Sequence, residues 1–410
     1  MVKMMIPGHQ SLATSHFIIL LFDLVITFHP AASQSCRIYY KYGEATLSCA
    51  KENMNRVPHF NHNIPPVNVI DLSENSITAI TNNPFKGVKT KGLRLGFNNI
   101  EYLERNAFKA IRRDLRLLDL RYNKLTSLPI DAIMKLKHLR KLDLSHNAIT
   151  YRHEDDMNFV FHASEMQVRL ESIDLSYNPL RGFYQYLKLG SGIKEFRVSN
   201  AELSEMPPVL VELHDAVVLD LSGNRIRDIS DEILKGFKHL EVLHLDRNAF
   251  KIVPSGMKHL KNLKLLTMSG NQIQYIHKDT FFQLVNLKIV SLSNNKLTGV
   301  SAKVFESAHA RMTVDLSSNK IRKIDQCFLA SSVRRLYLER NKIECDCPLF
   351  WLIELGKVDT SIMENSDICG GEKIHSLNYG LKIPMWMRET RKYGRCPEKD
   401  LENFDLQICE

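Results

Sequence analysis

Two short clusters hold residue types capable of chemistry. His153-Glu154-Asp155-Asp156 sets an imidazole beside three carboxylates, a grouping that could ligate a metal or relay a proton. Cys345-Asp346-Cys347 sets two thiols one residue apart, suited to zinc or to two disulfides. Neither has the partners that such chemistry requires. The chain has no G-x-G-x-x-G or Walker loop to cradle phosphate, no G-x-S-x-G elbow and no H-E-x-x-H zinc helix. Its sixteen histidines follow no fixed spacing. The acidic cluster therefore reads as a solvated loop and the C-x-C as two disulfide partners. The chain reads as no enzyme, with no resident metal and no cofactor.

A second set of side chains suits non-covalent recognition. Phe97, Tyr122, His146 and Tyr177 each stand immediately before an asparagine, with Arg94 and Arg121 beside them and Arg197 one copy beyond. Aromatic and arginine side chains dominate the energetics of protein interfaces. Covering loop backbone is the plainer use for such rings. Which use applies depends on what places them.

What places them is a repeat. VNVIDLSENSI (67–77), LRLLDLRYNKL (115–125), LRKLDLSHNAI (139–149) and LKLLTMSGNQI (263–273) share the rule L-x-x-L-x-L-x-x-N-x-L, where L stands for Leu, Ile, Val or Met. The asparagine falls at 75, 98, 123, 147, 178, 224, 248, 271, 295, 319 and 341, while a twelfth copy, IKEFRVSNAEL, carries Ala201 there with Asn200 beside it. Copies are mostly 22–25 residues apart; only Asn147 to Asn178, which contains the acidic cluster, is longer, at 31. Period-2 alternation in L-x-L predicts a short strand with its leucines turned into a stack. The asparagine then sits where the chain turns, and its amide can serve backbone groups of adjacent turns that would otherwise be buried unpaired. Phe85, Phe108, Phe281 and Phe305, each ten residues past an asparagine, and Phe328, nine past, predict an apolar spine behind the strands. Coils wider at the back than at the front stack into a curved solenoid with its strands on the concave side. Neighbouring parallel strands lie about 4.8 Å apart, which would set the four rings in one row. The Asp of the D-L-S phrase (Asp71, Asp119, Asp143, Asp174, Asp220, Asp315) reads as scaffold.

With these repeats the chain resembles extracellular leucine-rich repeat proteins with cysteine-rich end caps, such as Toll-like receptor ectodomains, Slit-type domains and variable lymphocyte receptors. The resemblance spans about residues 36–396 and implies an α/β leucine-rich repeat solenoid of about twelve repeats, a curved horseshoe. CRIYYKYGEATLSC (36–49) with Asn55-Arg56-Val57-Pro58 resembles the N-terminal cap, with two cysteines where the family often has four. NKIECDCPLFWLIEL resembles the C-terminal cap. The resemblance implies the pairs Cys36–Cys49, Cys345–Cys369 and Cys347–Cys396. Spacing alone leaves fifteen connectivities for the six later cysteines. Cys327, just before Phe328, reads as a free buried thiol, with Cys409 unpaired or bonded elsewhere.

The remaining expectations concern compartment and charge. Phe17–Phe28 is a twelve-residue apolar run followed by Pro30-Ala31-Ala32-Ser33, the form of a secretory leader and too short for a bilayer core of about 30 Å. The expected division is a signal peptide at 1–33, a cysteine cap at 34–66, repeats at 67–344, and a cap and tail at 345–410. The expectation is a secreted, extracellular, disulfide-bonded protein with no membrane span. With 44% hydrophobic and 25% charged residues the chain is neither disordered nor polytopic. The net charge is +9, and 86–141 alone hold fifteen Lys/Arg against five Asp/Glu. Such a field draws acidic partners, although many of these cations (Lys86, Lys89, Lys91, Arg112, Arg113, Arg116) lie between strands and suit a solvated rim equally. The function expected is recognition of another macromolecule on the concave face, with innate-immune or receptor-like ligand binding placed first. Adhesion, guidance or matrix binding of sulfated polysaccharide is the alternative, and a non-catalytic subunit of a secreted enzyme the third. The partner is a protein, an acidic polysaccharide or a microbial ligand, with nucleic acid less favoured. The sequence leaves the oligomeric state open.

Overall fold

A computed structural model describes residues 24–27, 35–60, 64–150, 169–181, 192–305, 312–329 and 333–343. They fall into two compact units, one up to Ile193 and one from Lys194 onward.

In the first unit the strands are β1 (Leu24–Thr27), β2 (Ser35–Lys41), β3 (Glu44–Ser48), β4 (Val67–Asp71), β5 (Ala79–Ile80), β6 (Thr90–Arg94), β7 (Tyr102–Leu103), β8 (Leu117–Asp119), β9 (Lys141–Asp143) and β10 (Ser172–Asp174). β2 pairs antiparallel with β1 and with β3, so part of the apolar run expected as a leader forms a sheet strand. Cys36 and Cys49, both buried, are disulfide-bonded across the β2–β3 hairpin, as the resemblance implied. From β3 on the main sheet is parallel, in the order β3-β4-β6-β8-β9-β10, and β5 pairs with β7 in a separate two-stranded sheet. The register never slips: Leu47, Ile70, Leu93, Leu118, Leu142 and Ile173 form one column, each 2% exposed or less. A one-residue slip would turn this whole column to solvent, at about 1.5–3 kcal/mol per large apolar side chain.

The second unit continues the pattern with β11 (Glu195–Arg197), β12 (Val218–Asp220), β13 (Val242–His244), β14 (Leu265–Thr267), β15 (Ile289–Ser291), β16 (Met312–Asp315) and β17 (Val333–Tyr337), all parallel. Among the described residues of both units helix is scarce. α1 (Ile130–Ile133) and α2 (Asp231–Gly236) span four and six residues, and the other connections are turns or short 3₁₀ segments. The predicted spine is present in each unit. Phe85 and Phe108 stack at 6.1 Å, preceded by Phe60, while Phe281, Phe305 and Phe328 follow one another at 5.6 and 6.1 Å.

The asparagine ladder is the second element of order. Asn98 donates from Nδ2 to the carbonyls of Leu72, Leu95 and Gly96 and accepts the Ile77 N–H at 3.0 Å, so one amide serves two turns. Asn123, Asn248, Asn295 and Asn319 do the same. The long interval does not interrupt it, since Asn178 accepts from Ile149 N and donates to Leu144 O.

At the copy without a ladder asparagine, Asn200 sets its side-chain oxygen in the space a Cβ at Gly223 would fill, and Ala201 is buried with its N–H given to Asn224. One expectation needs correction. Cys327 is disulfide-bonded, so the free-thiol reading fails. The pairs Cys345–Cys369 and Cys347–Cys396, the cap at 345–410 and the cluster at 153–156 lie outside the described residues.

Candidate functional site

The residue before each ladder asparagine occupies an unusual backbone state. Glu74, Phe97, Tyr122, His146, Tyr177, Asn200, Gly223, Arg247, Gly270, Asn294, Ser318 and Arg340 all have φ between +50° and +70°. The turn is fixed by its hydrogen bonds: the N–H of Phe97, Tyr122 and His146 reaches the carbonyl of Arg121, Ser145 and Ser176 respectively. Left-handed backbone costs an L-residue about 1–2 kcal/mol, and Gly or Asn tolerates it best. Gly223, Gly270, Asn200 and Asn294 follow that preference. The four consecutive aromatics defy it.

They form one stack. Ring centroids are 4.3 Å apart from Phe97 to Tyr122, 3.9 Å from Tyr122 to His146 and 4.0 Å from His146 to Tyr177, with planes within 12° of parallel. These separations are shorter than the strand spacing of about 4.8 Å, so the rings lean into contact. They are not buried: Phe97, Tyr122 and Tyr177 keep 44%, 42% and 46% of their surface exposed. Three ring contacts contribute about 0.5–1.5 kcal/mol each, against four strained residues at about 1–2 kcal/mol each. Self-stacking alone does not justify the choice.

The neighbouring arginines are tied down. Arg121 holds its guanidinium 5.7 Å from the Phe97 ring centroid, its Nε 3.4 Å from Asp119, and Arg94 pairs with Asp71 at 3.5 Å. Gly96 permits this arrangement, since a Cβ there would stand 3.2 Å from both Arg121 Cγ and Asp119 Oδ1. The Asp119 carboxyl is pushed above its usual range mainly by burial, with the Arg121 N–H and charge pulling it back and Asp143 adding to the rise. The D-L-S aspartates are scaffold as expected, because Asp71, Asp143, Asp174, Asp220 and Asp315 each accept the N–H two residues on. Of the predicted set, Phe97, Tyr122, His146 and Tyr177 come together, Arg121 joins at one end, and Arg94 sits one strand along from it. Arg197 belongs to the second unit, where it pairs with Glu195 at 2.8 Å.

Sequence patterning did not anticipate a polar chain on the second unit. Thr267 Oγ1 lies 2.9 Å from His244 Nδ1 and donates to Asp246, while Ser291 Oγ links Ser269 Oγ at 2.8 Å to Asp315 at 3.0 Å. With its proton directed at Asp246, the Thr267 hydroxyl accepts from the imidazole, the reverse of nucleophile activation. These residues brace adjacent strands. Among the described residues no cluster of three or more His, Cys, Asp or Glu is placed to hold a metal, and no helix is long and apolar enough to cross a membrane.

The leucine-rich repeat family matches residues 89–149, 216–273 and 285–343, which covers most of the strands and ladder described above. The fold is that of a leucine-rich repeat solenoid. It is 30% identical over 230 residues to Tsukushi of Gallus gallus, covering 49% of this chain and 60% of that one. It is 29% identical over 136 residues to asporin of Bos taurus, covering 27% and 37%. It thus spans less than two thirds of these relatives' length. A solved leucine-rich repeat protein of Leptospira interrogans superposes with a TM-score of 0.51 at 22% identity, over 72% of each chain, a likeness of fold.

Proposed function

We propose that this leucine-rich repeat protein works outside the cell and holds another macromolecule against the ring row of its first unit, as a receptor-like recognition protein of the innate-immune kind. The observation that carries this is the stack of four half-exposed rings on left-handed backbone, where glycine or asparagine would serve the scaffold better. The two disulfide-bonded regions support an oxidising compartment. The row offers a line of aromatic ring edges ordered in advance, which lowers the entropic cost of binding.

The test begins with a pull-down from extracellular fluid using the secreted chain, followed by binding kinetics on the captured partner. Tyr122→Ala removes an inner ring, stacked on both sides, and should raise the off-rate with little salt dependence. Arg121→Glu should lower the on-rate, an effect that shrinks as salt rises. Wild type and Tyr122→Ala binding the partner with equal off-rates would end the proposal. A captured adhesion or matrix molecule would move the role to the alternative expected from sequence, and co-purification with a catalytic chain to the third.

A further inference from the structure

The ring row leaves the strongest charge feature of the first unit unused. Arg94 and Arg121 each have a carboxylate partner. An open hollow of about 590 Å³ elsewhere in that unit does not share this neutralisation. Its lining is Lys86, Lys109, Arg112 and Arg113, with Asn83 and Ala110. None of the four cations makes an ion pair among the described residues. Glu104, on the neighbouring turn, accepts the Asn82 N–H and is absent from the lining.

The hollow is built on a firm base. Lys86 and Lys109 directly follow the stacked spine residues Phe85 and Phe108, and Arg112 and Arg113 lie between the buried Ile111 and Leu115. Asn83, itself at φ +50°, accepts the Ala110 N–H at 2.8 Å and ties the two contributing repeats together. The backbone beneath the cations is therefore set by core packing. Four uncompensated like charges held close repel one another and are relieved when an anion enters.

We infer that this hollow binds a sulfated polysaccharide, as a second site independent of the ring row. Two guanidinium forks and two ammonium groups match closely spaced oxyanions. The opening suits a chain that lies across it. Nucleic acid would be expected to use aromatic side chains on which bases stack, and the lining has none. An acidic peptide would need apolar side chains to anchor its own, and Ala110 is the one apolar residue of the lining.

The test uses the full secreted chain with a heparin octasaccharide, a hyaluronan octasaccharide and a single-stranded oligodeoxynucleotide as probes. The octasaccharide should bind with a steep salt dependence and outcompete both other probes. Lys86→Gln/Lys109→Gln/Arg112→Gln/Arg113→Gln should weaken it about 100-fold near 0.1 M salt and flatten the salt slope by about three to four. A charge-matched control, with Lys124, Lys137, Lys251 and Lys320 changed to Gln, should stay within about threefold of wild type. Arg112→Lys/Arg113→Lys keeps the charge and should lose less than the Gln variant. Equal losses in hollow variant and control would overturn the inference, leaving only diffuse attraction. Tighter binding of the oligonucleotide would overturn it in favour of nucleic acid. Since no ring is touched, partner binding at the row should survive all these changes.

Discussion

An amide that serves two turns is the residue-scale reason why this fold tolerates so little change at one position. Asn248 donates to Leu221 O, Leu245 O and Asp246 O and accepts from Ile226 N, all but the Asp246 bond fully buried. Asn248→Ala should strand those groups and cost about 1–3 kcal/mol, measured as a fall in denaturation midpoint. An unchanged midpoint would refute the ladder's energetic role. Ala201 shows that one vacancy is tolerated, with its own buried N–H given to Asn224. Asp119 yields a second prediction with a defined sign. Its carboxyl is raised by burial, so the folded protein binds more protons than the unfolded chain just above the ordinary aspartate range. Stability from this group is therefore present at low pH and lost as pH rises through the raised value. Asp119→Asn keeps an oxygen for the Arg121 N–H and gives up only a half-exposed ion pair. Urea denaturation should find the variant equal to or more stable than wild type near pH 7, with that advantage shrinking near pH 4. A wild type more stable by over about 1 kcal/mol near pH 7 would contradict this.

At the scale of the element, the turn after each strand decides what can be displayed. Strand, asparagine and spine were legible in the sequence because each is a periodic apolar or amide signal that every turn must satisfy. The row was legible too, as consecutive aromatics in one slot. The left-handed backbone beneath it was not, because Glu, Arg, Ser and aromatic residues occupy that slot as well as Gly and Asn. Nor was the fate of the arginines, since pairing with Asp71 and Asp119 depends on register between and within strands. The Thr267 and Ser291 network escaped notice for the same reason: small hydroxyl residues look inert until neighbours 21–24 residues away are placed beside them. The turn permits a test separating display from scaffold. Tyr122→Gly relieves backbone strain of about 1–2 kcal/mol and loses two ring contacts of about 0.5–1.5 kcal/mol each. Its melting midpoint should stay near wild type while partner binding falls. If Tyr122→Gly unfolded the first unit, the rings would be scaffold and the proposed display would lose its basis.

For the molecule as a whole, stability in a stack is local, since each turn meets only its neighbours. An exposed end is therefore the weak point, and the N-terminal end shows how it is managed. The β2–β3 hairpin covers the first turn, its Leu47 heads the buried column, and Asn75 bonds Cys49 O, Glu52 N and Met54 N. The pairing of Cys36 with Cys49 was readable by resemblance. Cys327 was not, because a cysteine beside a spine phenylalanine looks like core until its bond is known. The Cys36–Cys49 bond closes a loop with a sequence separation of 13, for which chain entropy gives about 3 kcal/mol. Replacing both cysteines with serine should therefore loosen the cap and spare later turns. In native-state hydrogen exchange, protection should fall at the Met54 and Ile77 amides, held by Asn75 and Asn98. It should persist at Ile149, held by Asn178, and at Ile273 in the second unit, held by Asn295. The gradient is the decisive feature. Uniform loss at all four amides would mean that the chain unfolds as a single cooperative body, and unchanged protection at Met54 would mean that hairpin pairing alone secures the end.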